Sequence, residues 1–150
     1  MKTLLNDYDA ILARIEQLNA EKTPLWGEMN VNEMLVHLTK PLVGSLGKGN
    51  ARDVSTFFTR NITKYLILYI RRELPKGVRG PREVDMRRNP GLLQGFDADK
   101  ANLLRALATF RADTRANTGA VHPYFGKFNR NEWSRFHYLH IDHHLRQFGV

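Results

Sequence analysis

Apolar side chains recur at helical spacing along most of this chain, and polar breaks divide them into separate stretches. Over residues 3–20, Leu4, Tyr8, Ile11, Leu12, Ile15 and Leu18 fall on one face with charged residues between them, which predicts an amphipathic helix. Pro24 and Gly27 break the pattern across residues 22–29. A second stripe follows in Val31, Met34, Leu35, Leu38 and Leu42. Asn30 is placed to cap it and Glu33 to close a capping box, so a second helix is expected to about Leu46. Pro41 lies inside that span, lacks a backbone donor, and is expected to kink the helix or end it early.

Residues 47–50, Gly-Lys-Gly-Asn, signal a turn, and Asp53 can cap a third helical stretch over residues 54–73. Its run Tyr65-Leu66-Ile67-Leu68-Tyr69-Ile70 has the composition of a strand when taken alone. Residues 74–96 carry three prolines and four glycines, which preclude regular structure over most of that length. Asp97 and Asp99 open the next helix, with Ala101, Leu104, Ala108 and Phe110 expected inward and an end at 117–119. After a turn at residues 122–126, Asn129 caps the last helix, Glu132 completes its box, and Gly149 stops it. The pattern predicts an all-α fold: a four-helix bundle with one helix and a long loop inserted between the second and third.

Composition narrows the chemistry. The 150 residues suit one domain with one core. With no cysteine, disulfides, thiolate metal sites and cysteine nucleophiles are excluded, so a transition metal would rest on histidine and carboxylate. The N-terminus turns polar and acidic before it can build a signal or transit peptide, which leads to an expected cytoplasmic location. The longest apolar run, residues 65–70, is too short to span a bilayer. Much of the net charge of +8 lies between Arg60 and Arg88, where nine basic residues face three acidic ones. Such a segment attracts nucleic acid, anionic lipid or a phosphorylated substrate, or is simply a solvated loop. It lacks aromatic interleaving over residues 76–88 and any recognised DNA-binding motif, which speaks against nucleic acid.

The sharpest signal is in the last helix, where four of the six histidines fall within His137-Tyr138-Leu139-His140-Ile141-Asp142-His143-His144. A projection at about 100° per residue puts Trp133, His137, His140, Ile141, His144 and Phe148 on one face. Arg135, Leu139, Asp142 and Arg146 fall on the other, and an Asp142–Arg146 pair at i,i+4 marks that side as the wet one. Two inward histidines one turn apart need partners for their ring nitrogens, and a shared metal ion or separate core hydrogen bonds would each supply them. His37, at the edge of the second stripe, offers a third ligand. Glu33, one turn earlier, either orients His37 or serves only its capping box. His137 is open to three roles: fourth ligand, acid/base group or packing residue. His143 sits on a flank, and His122 is expected to position its turn.

Four stretches stand out: Trp26-Gly27-Glu28-Met29-Asn30, Met34-Leu35-Val36-His37, His122-Pro123-Tyr124-Phe125-Gly126, and Glu132-Trp133 through His140-Ile141-Asp142-His143-His144 to Gly149. Together they resemble the DinB-like (DinB/YfiT) superfamily, specifically a branch described as a domain of unknown function. The resemblance implies an up-down-down-up bundle with an open metal site at His37, His140 and His144, holding nickel or zinc, with iron or manganese as alternatives. It also implies a relation to thiol-dependent S-transferases and isomerases. The usual Arg-Gly-Gln after the last ligand reads Leu145-Arg146-Gln147 here.

The leading expectation is a metal-dependent hydrolase or low-molecular-weight-thiol S-transferase. In it Arg79, Arg82, Arg87 and Arg88 attract an anionic cosubstrate, and Glu33, His137 and His143 are candidate supporting or acid/base groups. The alternative is a non-catalytic bundle, with a structural metal or none, or a basic-loop binding module. A homodimer through the apolar face around residues 65–70 is a further expectation.

Overall fold

The computed structural model describes residues 1–48, 52–77, 90–115 and 118–150. Four α-helices make its frame: α1 (Tyr8–Glu16), α2 (Val31–Ser45), α3 (Phe96–Ala112) and α4 (Arg130–Gln147). α1 is shorter than its apolar pattern, because residues 4–6 form a turn and the segment is pinned to α4 instead. Leu4 N donates to the Ser134 carbonyl (2.9 Å) and Leu5 N to Ser134 Oγ (3.1 Å). Most of the stripe is buried as expected, with Leu4, Tyr8, Ile11, Ile15 and Leu18 in the core and Leu12 only partly covered.

α2 and α4 each start at a complete capping box. Asn30 and Asn129 accept from the backbone of Glu33 and Glu132, whose carboxylates accept in return from the cap nitrogens. α2 continues through Pro41 to Ser45, so the proline neither ends nor shortens it. α4 ends at Gln147 and is stopped by Gly149, two residues on, whose φ of +69° is open to glycine at little cost. Gly149 N reaches the Arg146 carbonyl and Val150 N the Leu145 carbonyl, the pair of bonds of a Schellman motif.

Side-chain contacts set the directions. Arg14 meets Asp142 at 2.7 Å while Leu4 meets Ser134, so α1 and α4 run parallel. His37 meets His140 while Ser45 meets His137, so α2 runs opposite to α4. Arg111 pairs with Asp9 and Lys100 reaches the Leu18 carbonyl, which sets α3 antiparallel to α1.

Three expectations need correction. α3 stops at Ala112 rather than at 117–119, and its buried residues are Asp99, Leu103, Ala106, Leu107 and Phe110, with Ala101 and Ala108 exposed and Leu104 only partly covered. The larger Leu103–Leu107 pair, not the alanines, sets the phase of that helix, because it removes more apolar area from water. The expected turn is present at residues 123–125, and the residues beside it pair as a small antiparallel hairpin, β1 (Val121–His122) against β2 (Gly126–Lys127). α4 has no broad wet face: Arg135 and Leu139 are buried, although Asp142 and Arg146 do pair, at 3.1 Å.

The inserted helix covers residues 57–70, shorter than 54–73, and it is underwound into two wider π-helical segments, Thr59–Thr63 and Leu66–Ile70. Lys64 N donates to the Thr59 carbonyl and Arg71 N to the Leu66 carbonyl, both i to i+5 bonds. Leu68 is buried beneath it. Arg135 fixes the far end of this helix to α4, with Nε donating to the Leu68 carbonyl (3.0 Å), Nη2 to the Arg71 carbonyl (2.8 Å) and Nη1 to the Lys2 carbonyl (2.7 Å). The Leu68 and Arg71 carbonyls lie at the helix end, where carbonyls lack intrahelical donors, and the guanidinium satisfies them with its charge toward the negative end of the dipole. Among the described residues, no helix is long and apolar enough to cross a membrane.

Candidate metal centre

Three imidazoles converge between α2 and α4. His37 comes from the middle of α2, and His140 and His144 from successive turns of α4. The ring centroids form a nearly even triangle: 4.8 Å from His37 to each of the others and 4.9 Å from His140 to His144, with every pair edge-on. His37 Nε2 and His140 Nε2 lie 2.9 Å apart, and one ligand atom from each histidine falls within 4.8 Å of the other two. Two imidazole nitrogens held by one tetrahedral zinc ion sit roughly 3.3 Å apart, so the set is within about 1.5 Å of that spacing throughout. His144 is buried, while His37 and His140 are partly open to solvent, which leaves an approach from one side.

Electrostatics favour ligand chemistry at this point. Burial, reinforced by the neighbouring imidazoles, holds His140 well below its ordinary pKa and lowers His144 to about 3. Both rings are therefore neutral at pH 7, the form in which histidine binds metals. Among the described residues, no carboxylate joins the group of three.

The tautomer of His144 follows from its surroundings. The Trp26 carbonyl can only accept, so the Gln147 atom 2.6 Å from it is the amide nitrogen. That turns Gln147 Oε1 toward His144 Nδ1, at 2.7 Å, and an amide oxygen can only accept. His144 thus carries its proton on Nδ1, leaving the Nε2 lone pair free to bind. Gly27 makes room for the arrangement: a Cβ there would stand 2.4 Å from Gln147 Nε2, and its φ is +79°. Leu25 N donates to the Gln147 carbonyl at 2.7 Å, which fastens the 25–27 segment to the end of α4.

The other expected site residues divide. Glu33 is in its capping box, where Oε2 accepts from Asn30 N at 2.8 Å. His137 lies outside the triangle: it is buried, stacked on Trp133, and within 3.0 Å of Ser45 Oγ. Ser45 Oγ donates to the Leu42 carbonyl at 2.7 Å, so it accepts from His137 Nε2–H. That is the geometry of a core histidine. His143 packs edge-on against His144 and Trp26 and hydrogen-bonds to the backbone of Leu74. His122 Nδ1 accepts from Tyr124 N at 3.2 Å and stacks on Phe125 and Phe128 in the hairpin. Arg79, Arg82, Arg87 and Arg88 lie outside the described residues. Lys76, in the same basic stretch, sits 4.0 Å over the Trp26 ring.

Gln147, Trp26 and Gly27 are the site residues that sequence reasoning overlooked. The signal for Gln147 was its i,i+3 spacing from His144 on a shared face.

No curated protein and no solved structure matches the chain. The sequence model of one family does match, over residues 2–149, and the chain therefore belongs to the family described as Protein of unknown function (DUF1569).

Proposed function

We propose that this protein is a DinB-like metal protein, an up-down-down-up four-helix bundle that holds a divalent ion, nickel or zinc before iron or manganese, at His37, His140 and His144. The observation that carries the reading is the even triangle of imidazoles, His140 and His144 among them kept neutral by burial, with the His144 lone pair turned inward by Gln147. Three neutral ligands leave the ion its full positive charge, and a fourth, open position would lower the pKa of a bound water or low-molecular-weight thiol toward neutrality. The reaction class this supports is metal-dependent hydrolysis or thiol S-transfer.

The protein's own part is to bind and orient. The capping boxes fix where α2 and α4 begin, and with that the angular positions of His37, His140 and His144. Phe136, stacked on His140 at 5.5 Å, excludes water from one side of the site. The basic stretch containing Arg79, Arg82, Arg87 and Arg88 supplies long-range attraction for an anionic cosubstrate.

The test is elemental analysis of untagged protein beside His37→Ala and His140→Ala. Near-stoichiometric metal in the parent, lost in both variants with helical content retained, is the expected outcome. A parent that stays metal-free after loading with nickel and zinc would refute the reading.

A further inference from the structure

The outward face of the inserted helix is mostly apolar, with Arg60 and Asn61 as its exposed polar residues. Phe57 and Phe58 in its first turn are followed by Ile62, Tyr65, Leu66 and Tyr69, and then by Ile70 at its end, with relative exposures from 43% to 81%. Together these exposures amount to roughly four whole side chains, or about 800 Å² at ~200 Å² each. The largest apolar patch on a typical monomer is about 300–600 Å². One side of a standard protein interface is about 800 Å².

We infer that this face is where two copies of the chain pair. Its area equals one half of a standard interface, so two equal faces suffice without any other contact. Its composition is that of an interface core, rich in Phe and Tyr, with Tyr65 and Tyr69 already stacked at 5.2 Å. The basic side chains of the helix are drawn away from it. Arg60 is paired with Asp53 at 3.0 Å, and Lys64 with Glu132 at 2.6 Å, where it also donates to the Lys127 carbonyl. A helix lying on an anionic membrane instead turns its cations outward beside the apolar face, toward the headgroups. Residues 78–89 are a poor cover from within the chain, since half of them are charged.

A two-fold axis across the middle of the helix, between Ile62 and Tyr65, makes the contact self-complementary. The two helices then run antiparallel, with Phe58 of each copy opposite the Tyr69 end of the other. The inference is independent of the metal site. Because each copy carries a net charge of +8, mutual repulsion opposes pairing and is screened by salt.

Sedimentation velocity of the full chain, between 1 and 100 µM and at low and high salt, tests it. The expected result is a concentration-dependent dimer, tighter in high salt. Ile62→Asp and Tyr65→Asp should each raise the dissociation constant at least tenfold with an unchanged circular dichroism spectrum, since both side chains face solvent in the single chain. A monomer across the whole range, or a dimer that tolerates both substitutions, overturns the inference. So does a monomer that co-sediments with phosphatidylglycerol vesicles, which would assign the face to a membrane surface.

Discussion

Replacing Gln147 by leucine removes the group that sets the tautomer of His144 while leaving all three imidazoles in place. The substitution deletes two hydrogen bonds, the one from His144 Nδ1 at 2.7 Å and the one to the Trp26 carbonyl at 2.6 Å. At about 1 kcal/mol net each, with a part-buried carbonyl left unpaired, the fold should lose about 2–3 kcal/mol. The effect on metal binding is separable. Without Oε1 the His144 proton is free to sit on either nitrogen and the ring to turn, and loss of such an orienting partner lowers affinity about 10–100-fold, or about 1.4–2.8 kcal/mol. Zinc affinity is measured by competition with a chromophoric chelator. In the metal-free wild type, the ¹⁵N shifts of His144 should report a protonated Nδ1 and a bare Nε2, and in Gln147→Leu a mixture. Gly27→Ala should act in the same direction, because its Cβ would displace Gln147 Nε2 from a distance of 2.4 Å. A folded Gln147→Leu variant that binds zinc within twofold of wild type would refute the reasoning.

Two further outcomes follow from buried polar groups. Arg135→Met removes the three bonds that hold residues 57–71 and Lys2 to α4, so unfolding in urea should show a loss of about 2–4 kcal/mol, with faster amide exchange concentrated in residues 57–71. A loss below about 1 kcal/mol would mean that water replaces the guanidinium without penalty. The histidines should also make the metal-free protein acid-sensitive. Burial lowers His122, His137 and His144 from 6.5 to about 3, so below pH 6.5 the unfolded chain takes up protons that the folded one refuses. Stability is then independent of these groups above pH 6.5. It falls as pH drops toward 3, by up to about 1.4 kcal/mol per pH unit for each histidine. For a domain of ordinary stability this predicts unfolding by about pH 4, followed by near-UV circular dichroism; a native spectrum at pH 3.5 would contradict it.

What could be read from the sequence was whatever depends on one helix at a time. The stripes of α1 and α2 and both Asn-x-x-Glu boxes are local, and the structure places them where the pattern did. The three histidines were legible because His140 and His144 share the inner face of α4 and His37 lies at the edge of the α2 stripe. The outer face of α4 was not. A projection assumes one dry side and one wet side, but α4 is covered from behind by the N-terminal segment and by the end of the inserted helix. Arg135 therefore looks like a surface residue until the carbonyls that surround it are known. Gln147 is the same case at the site, since its meaning depends on a carbonyl 121 residues earlier in the chain. The hairpin strands, at two residues each, are too short to carry an alternating pattern.

The two capping boxes also say where this protein can tolerate a change in length. His37 follows its cap by seven residues, and His140 and His144 follow theirs by eleven and fifteen. Each cap acts as the zero mark from which its ligands are counted. One residue added between Asn129 and His140 would swing both downstream imidazoles by about 100° and out of the triangle. A residue added in the hairpin loop, ahead of Asn129, would leave that count intact. Insertions and deletions in descendants of this gene should therefore collect before the caps and be rare between a cap and its histidines, even where individual residues in those intervals drift freely.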